Sequence, residues 1–286
     1  LALALSLPPR RRLGSARLLV GAAEGGERPL DELEFPGLAT DIGPHAGTSE
    51  ALWQWARVDW KAPRALIGLF NPLLLMSGIQ PVPCDLVSSH LATTLLVTGP
   101  NSGGKTRLLQ SVGLTQLLAQ CGAFIPARSG AVALSPALVV SLIQETKADQ
   151  AEGRLGMELL RIRDLFERLP PGAMVLLDEL CSGTNPSEGE EIFELVVEML
   201  SKLAPQAFIT THFLTFAARL EREQKIPDLS FVQVELGADR RATYQFVPGV
   251  ATTSLAGHAA ERLGVTGEQL LSLIERNVEQ FRAKHR

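Results

Sequence analysis

A glycine-rich segment between an apolar run and a helix-compatible stretch restricts the fold of this chain more than any other feature. The segment reads Gly99, Pro100, Asn101, Ser102, Gly103, Gly104, Lys105 and Thr106. It follows the apolar residues 95–97 and precedes the stretch 107–120. Glycines allow backbone N–H groups to surround phosphates, a lysine reaches the β and γ phosphates, and a threonine hydroxyl can hold Mg²⁺. The segment therefore predicts a phosphate-binding loop for ATP or GTP.

From residue 71 onward, short apolar runs alternate with helical stretches, which is typical of an α/β fold with a mainly parallel sheet flanked by helices. The predicted strands are 93–98, 137–143, 173–178, 206–211 and 230–235. The predicted helices are 104–121, 154–169, 188–203, 212–223, 255–263 and 267–284. Two proline signals support these limits, since Pro170-Pro171-Gly172 and Pro205 each end a helix before a strand.

Three segments are expected along the chain. Residues 1–69 are predicted to be a linker or the remnant of a preceding domain, with a short helix over 50–60 whose tryptophans serve as packing anchors. Residues 70–255 are predicted to form the α/β domain. Residues 256–286 are predicted to be a helical segment with an amphipathic helix, which either packs on its own domain or mediates dimerisation. The first residue is leucine, so we expect a fragment of a longer protein.

Composition and charge argue against some classes of function. The net charge of −4 provides no overall basic surface for nucleic acid, although Arg10-Arg11-Arg12 is a local basic patch. Three scattered cysteines, Cys84, Cys121 and Cys181, form no disulfide framework and no paired zinc motif, as expected in a reducing cytoplasm. The apolar start, residues 1–7, is too short to span a bilayer, and no membrane partner is predicted.

A second motif is the apolar run 174–177, which ends in Asp178 and Glu179. In nucleotide hydrolases, the first carboxylate after such a strand holds Mg²⁺ together with the hydroxyl of the phosphate loop. Asp178 and Thr106 fit that pair. The adjacent Glu179 is placed to orient or deprotonate the attacking water.

A third element is the run 208–211, which delivers His212 to the carboxyl end of another predicted strand. Ligands of open α/β sheets bind outside these carboxyl ends, where the phosphate loop and the acidic pair are also expected. His212 is therefore predicted to sense the γ phosphate. The other four histidines have no comparable setting.

Together these motifs resemble the ATPase domain of MutS-type DNA mismatch-repair proteins. The resemblance rests on residues 99–106, on 176–189 (LLDELCSGTNPSEG) and on 210–212, and it extends over roughly 70–265. It implies a P-loop NTPase with an ABC-like ATPase domain, ATP and Mg²⁺ as cofactors, and a homodimer formed through the nucleotide site. It also implies nucleotide-dependent clamping of double-stranded DNA, with DNA contacts mostly upstream of this segment, in the cytoplasm at the nucleoid.

Two further roles are implied by the resemblance. Asn101 is expected to contact phosphate and help stabilise the transition state. Residues 182–189 are expected to form the loop that crosses the dimer interface, and their turn-rich composition agrees with a mobile loop.

The chain departs from the family pattern in three places. The family carries a Ser-Thr-Phe segment at the start of the helix before the acidic strand, whereas this chain has Leu155 or Gly156 at the serine position. The helix N-terminus at 153–156 and Arg154 offer an alternative contact to the partner's phosphate. No aromatic residue is evident where relatives stack on adenine, and Pro81 or Val82 would supply an apolar contact. The Phe-x-Glu motif of the mismatch-reading module is absent from these residues.

Two alternatives remain open at this stage. One is another ABC-like ATPase, such as a chromosome-maintenance motor or a transporter subunit. The other is a nucleotide-gated dimerisation switch with negligible turnover, which the missing serine favours. Mismatch repair and recombination control are equally compatible with the motifs.

Overall fold

The computed structural model describes residues 54–59, 64–88, 93–141, 154–181, 185–252 and 263–284. The strands are β1 (Gln54–Asp59), β2 (Ala65–Leu69), β3 (Cys84–Val87), β4 (Thr93–Thr98), β5 (Phe124–Ile125), β6 (Ser129–Ala133), β7 (Leu138–Ser141), β8 (Met174–Leu177), β9 (Gln206–Thr210), β10 (Leu229–Leu236) and β11 (Ala242–Pro248). The helices are α1 (Pro72–Met76), α2 (Lys105–Gln120), α3 (Arg154–Arg168), α4 (Pro186–Ser201), α5 (Leu214–Glu223) and α6 (Gly267–Lys284).

The larger sheet has six strands in the order β11-β10-β4-β9-β8-β7. All neighbouring pairs are parallel except β10 and β11, which form an antiparallel hairpin. The predicted mainly parallel sheet flanked by helices is confirmed. Because the central strands are parallel, the carboxyl ends of β4, β8 and β9 meet at one edge, where the phosphate loop, the acidic pair and His212 follow them.

Strand β8 shows why this sheet is the centre of the fold. Its four side chains are all buried and alternate between two hydrophobic clusters. Met174 and Leu176 pack with α2 and the smaller sheet, whereas Val175 and Leu177 pack with α4 and α5. Each fully buried side chain of this kind contributes roughly 1.5–3 kcal/mol. The continuous apolar run of β8 therefore follows from burial on both faces.

The smaller sheet has five strands in the order β3-β2-β6-β1-β5. The short helix predicted over 50–60 is wrong, because residues 54–59 form strand β1 in this sheet. β1 pairs parallel with β6 and antiparallel with β5, so its hydrogen-bond partners lie some 70 residues further along the chain. The helix prediction relied on the mixed helical spacing of the apolar residues in this segment, although tryptophan and valine favour strands. β1 and β2 also belong to the stretch expected to be a linker, although both pair with strands beyond residue 70.

Helix α6 spans the residues predicted for it, and all of its side chains from 267 to 282 are exposed. The predicted helix 255–263 falls almost entirely outside the described residues, as do residues 1–53. Of the helices in the described part of the chain, none is both long and apolar enough to cross a bilayer.

Candidate functional site

The loop between β4 and α2 follows a path that requires glycine at two positions. Gly99 has φ of +138°, and an added Cβ would lie 2.7 Å from Cγ2 of Val234 on β10. Gly104 precedes the first residue of α2 with φ of +91°. Glycine adopts such angles without steric strain. The loop therefore lies close against β10 and presents its backbone at the N-terminus of α2, where N–H groups attract anions.

Lys105 is nearly buried at the start of α2. Its Nζ donates to the carbonyl oxygens of Gly99 at 2.9 Å and Pro100 at 3.2 Å, so the ammonium lies inside the loop. Burial lowers the pKa of Lys105, and the nearby carboxylates of Glu179 and Asp178 oppose that shift. A desolvated ammonium held by carbonyl oxygens can exchange those contacts for phosphate oxygens, which carry full negative charge.

A chain of hydrogen bonds joins the loop to the ends of β8 and β9. Thr106 Oγ1 donates to Asp178 Oδ2 at 2.7 Å, and Thr210 Oγ1 donates to Asp178 Oδ1 at 2.6 Å. Asp178 is only 7% exposed, so both carboxylate oxygens have partners in a nearly dry setting. Hydroxyl and carboxylate oxygens are the ligands that Mg²⁺ takes in proteins, and the residues present therefore fit such an ion.

Thr210 is a site residue that sequence reasoning missed, although it belongs to the quoted run 210–212. β8 and β9 pair with Leu177 opposite Ile209, which brings the next residues, Asp178 and Thr210, side by side. The signal was a hydroxyl at the end of the neighbouring strand. It could be recognised only once the order of the strands was known.

Glu179 follows Asp178 with φ of +50°, a left-handed conformation that is uncommon outside glycine. Its backbone N–H donates to Thr210 Oγ1 at 2.8 Å. The residue lines a cavity of about 560 Å³ together with the loop. This volume is in the usual range of small-molecule sites.

The cavity lies between the loop and the smaller sheet. Its walls are formed by three parts of the chain besides Glu179: Leu69, Phe70, Asn71, Leu74, Ile79, Gln80, Pro81, Val82 and Cys84; residues 101–108 with Ser111; and Tyr244 with Phe246. Pro81 and Val82, which were expected to offer an apolar contact to the base, line this cavity. The polar loop on one side and the apolar wall on the other suit a molecule with phosphates at one end and a flat ring at the other.

Two aromatic residues of this wall were not expected. Tyr244 and Phe246 are two residues apart on β11, and both line the cavity, although the pairing of β10 with β11 is irregular between Ala242 and Phe246. Tyr244 has φ of +62°, and its Cδ1 would lie 3.2 Å from a Cβ added to Gly104. No aromatic residue was evident at the position that stacks on adenine in relatives, and Tyr244 and Phe246 line the cavity from β11 instead. The signal was the alternation of aromatic residues just before Pro248-Gly249, far from the motifs in sequence.

Asn71 holds the cavity wall in place. Its Oδ1 accepts from the N–H of Leu73 and caps α1, while Nδ2 donates to the carbonyl of Arg107 and to Gln110 Oε1 on α2. The residue is 4% exposed. One side chain thus ties α1 to the helix that carries the loop.

The other predicted site residues are distributed as follows. Asn101 is exposed and lines the cavity. His212 is exposed at the end of β9, with its ring 4.3 Å from the ring of Phe213, and does not line this cavity. Residues 182–184 of the expected interface loop lie outside the described part. The described remainder begins with Asn185, whose Oδ1 accepts from the N–H of Ser187 and caps α4.

The region that departs from the family pattern is described from Arg154, where α3 begins. One turn into this helix, Glu158 Oε1 accepts a hydrogen bond from the N–H of Cys181. Cys181 is fully buried, and burial together with Glu158 raises the pKa of its thiol to about 12. Glu158 is a further residue of this region that sequence reasoning did not identify.

Comparison with known proteins gives one family. The model of MutS domain V matches residues 95–281. The endonuclease MutS2 of Thermus thermophilus is 34% identical over 214 residues, which cover 71% of this chain and 28% of that protein. The endonuclease MutS2 of Clostridium botulinum strain Alaska E43 is 31% identical over 209 residues, covering 70% of this chain and 26% of that protein. The chain thus spans about a quarter of the length of these curated relatives.

Proposed function

The chain belongs to the MutS family, and from this premise we propose that it is the ATPase segment of a DNA-associated MutS-like protein. Domain V of this family is an ABC-like ATPase. The matched residues 95–281 include the loop, the acidic pair and the run that ends in His212. This assignment argues against the alternative of a transporter subunit or another chromosome-maintenance motor.

The observation that carries the proposal is the contact between Thr106 Oγ1 and Asp178 Oδ2 at 2.7 Å. These residues are 72 positions apart, and each was assigned to Mg²⁺ from a different motif. A hydroxyl from a phosphate loop beside a strand-end carboxylate is the arrangement with which nucleotide hydrolases hold Mg²⁺. The chemistry that Mg²⁺ supplies when bound is neutralisation of the charge on the phosphate oxygens.

The proposed roles follow from position. The backbone of residues 99–106 and the ammonium of Lys105 bind the phosphates of ATP, with Asn101 as a further phosphate contact. Thr106 and Asp178 hold Mg²⁺. Glu179 orients and deprotonates the attacking water, and His212 senses the γ phosphate from the end of β9.

The apolar wall of the cavity is the proposed binding site of the adenine base. Tyr244 and Phe246 of β11 line the cavity, and Pro81 and Val82 line it as well. An aromatic ring next to a flat heterocycle gains from stacking as well as from buried area. We assign the adenine base to these apolar and aromatic side chains, of which Tyr244 lies next to Gly104 of the phosphate loop.

The role of the whole protein is part of the proposal. Two copies would form a homodimer through their nucleotide sites, with residues 182–189 at the interface, and would couple nucleotide state to clamping of double-stranded DNA. The DNA contacts would lie mostly upstream of this segment, and the pathway would be mismatch repair or recombination control. The ATPase domain would extend from β1 to about residue 255, because β1 and β2 pair with strands beyond residue 70. The segment 256–286, with the exposed apolar stripe of α6, would add to dimerisation.

A second candidate is a nucleotide-gated switch with negligible turnover. It is favoured by Leu155 and Gly156, which provide no hydroxyl where relatives present a serine to the partner's phosphate. In that case MgATP would still bind and join two copies. The rate of phosphate release alone separates the switch from the ATPase.

The proposal is tested by measuring MgATP affinity and phosphate release for three variants. Lys105→Ala should lose most of the affinity, because a buried ammonium next to the phosphates is removed. Glu179→Gln should keep the affinity and turn over about 10²- to 10⁴-fold more slowly, since it retains shape but not basicity. Lys202→Ala, an exposed lysine beyond α4, is the control and should behave like wild type. Equal turnover in Glu179→Gln and wild type would exclude Glu179 as the base.

A further inference from the structure

The turn that follows the acidic pair is conformationally unusual. Glu179 and Cys181 both have left-handed backbone angles, with φ of +50° and +62°. For residues other than glycine this conformation costs on the order of 1–2 kcal/mol each. Such angles persist only where the surroundings impose them, and they occur preferentially at functional sites.

Two side chains outside this turn accept hydrogen bonds from its backbone. Thr210 Oγ1, at the end of β9, accepts from the N–H of Glu179 at 2.8 Å. Glu158 Oε1, on α3, accepts from the N–H of Cys181 at 2.5 Å. The second bond has a charged acceptor, and bonds of that kind are roughly twice as strong as neutral ones.

The contact made by Glu158 is not a solvent-exposed pairing. Glu158 is half-buried, and Cys181 belongs to the hydrophobic cluster that includes Leu180, Phe193 and Phe213. A carboxylate next to apolar side chains loses solvation, and that loss is tolerable when a backbone donor satisfies the oxygen. The position of Glu158 is thus explained by the backbone N–H that it accepts from.

We propose that Glu158 is a positioning residue that fixes Glu179 for its reaction with water by holding the backbone of Cys181. The inference rests on the proposed ATPase function. It also connects Glu179 to α3, so that the helix whose first turn replaces the family's serine segment is joined to the catalytic carboxylate.

The contacts predict which kinetic parameter Glu158 controls. Lys105 and Thr106 are on α2, and Asp178 is held separately by Thr106 and Thr210. Loss of the Glu158 contact leaves these bonds in place and releases only the backbone of the turn at Cys181. We therefore expect kcat to fall while KM and the affinity for MgATP stay unchanged.

The test uses two substitutions at Glu158. Glu158→Ala removes the acceptor and should lower kcat by about 10²-fold, the size of effect that a misplacement of about 1 Å produces. Glu158→Gln keeps an oxygen acceptor and should restore most of the rate. Glu167→Ala, on the same helix in an exposed pair with Arg163, is the matched control and should leave kcat unchanged. Hydrogen exchange of the peptide covering 178–181 should be faster in Glu158→Ala than in Glu158→Gln.

Each outcome decides the matter. Wild-type kcat in Glu158→Ala, or a Glu158→Gln variant as slow as Glu158→Ala, would overturn the positioning role. A parallel loss of MgATP affinity would overturn it as well, because the effect would then be a general disruption of the fold. Failure of the proposed function is distinguishable, since wild type itself would release no phosphate, and the inference would fall with it.

Discussion

Thr210 joins the two acidic residues of the site through a single hydroxyl. Its Oγ1 donates to Asp178 Oδ1 and accepts from the N–H of Glu179, and the residue is fully buried. The same oxygen therefore orients the proposed Mg²⁺ ligand and the proposed base. Because Thr210 is buried, water does not replace its hydroxyl, so removal of the hydroxyl leaves its hydrogen-bond partners unsatisfied.

Thr210→Val is expected to lower both stability and turnover, and the loss of turnover should exceed what the loss of stability explains. Valine keeps the approximate shape but cannot bond to Asp178 or to Glu179, so the free energy of unfolding should fall by about 1–3 kcal/mol. We expect kcat to fall as well, and Thr210→Ser to recover it. The measurements are denaturant unfolding and phosphate release.

The matched control is Thr115→Val. Thr115 is also fully buried, and its hydroxyl donates to the carbonyl of Ser111 within α2. This variant should lose stability but retain turnover. If both valine variants turned over equally, Thr210 would have no role in orienting the acidic pair.

Residues that belong to local motifs could be predicted, and residues that reach the site from elsewhere could not. Lys105, Thr106 and Asp178 were identified because each belongs to a motif of at most eight consecutive residues. Glu158 and Tyr244 come from α3 and β11, and neither belongs to one of these motifs. Their contacts depend on the packing of strands and helices far apart along the chain.

At the level of elements, α6 differs from every helix that packs on the larger sheet. Its apolar residues are 42–65% exposed, in contrast to the buried faces of α4 and α5. These residues are Leu270, Leu271, Leu273, Ile274, Val278 and Phe281. This helix was expected either to pack on its own domain or to mediate dimerisation, and within the described residues its apolar side chains are not buried.

Substitutions in α6 should therefore have little effect on the stability of the monomer. Ile274→Gln should change the free energy of unfolding by less than about 0.5 kcal/mol, as at other exposed positions. Leu109→Ala, in the fully buried face of α2, should cost about 2–5 kcal/mol. Denaturant unfolding at a concentration where the chain is monomeric compares them. A cost for Ile274→Gln near that of Leu109→Ala would mean that α6 packs on the domain in solution.

Five of the six strands of the larger sheet were predicted, because each contains a short apolar run, whereas β11 was not predicted. The smaller sheet was not predicted, because β5 and β6 are short and β1 lacks clear alternation. Its strands are defined by pairing across long stretches of chain, for example Ala56 with Gly130. Such pairing leaves no periodic signal in the sequence.

In the whole molecule, α2 joins the two sheets and carries the loop. Its first residue, Lys105, lies in the loop, and near its other end Gln116 Oε1 accepts from Arg64 Nη2 at 2.7 Å. The same nitrogen donates to Gln206 Oε1 on β9 at 2.7 Å. Arg64 is 3% exposed, and burial lowers its pKa to about 10. This buried network fixes the smaller sheet against the larger one, and the cavity lies at the other end of α2.

The central claim concerns how the whole molecule responds to nucleotide. If MgATP binds in the cavity and completes a site shared by two copies, blocking hydrolysis should trap the dimer. Light scattering of the Glu179→Gln protein, with and without MgATP, measures this directly. The account predicts a mass that doubles with MgATP and does not double in a Lys105→Ala, Glu179→Gln double variant. A mass that MgATP leaves unchanged in Glu179→Gln would contradict the proposal that nucleotide joins two copies of this chain.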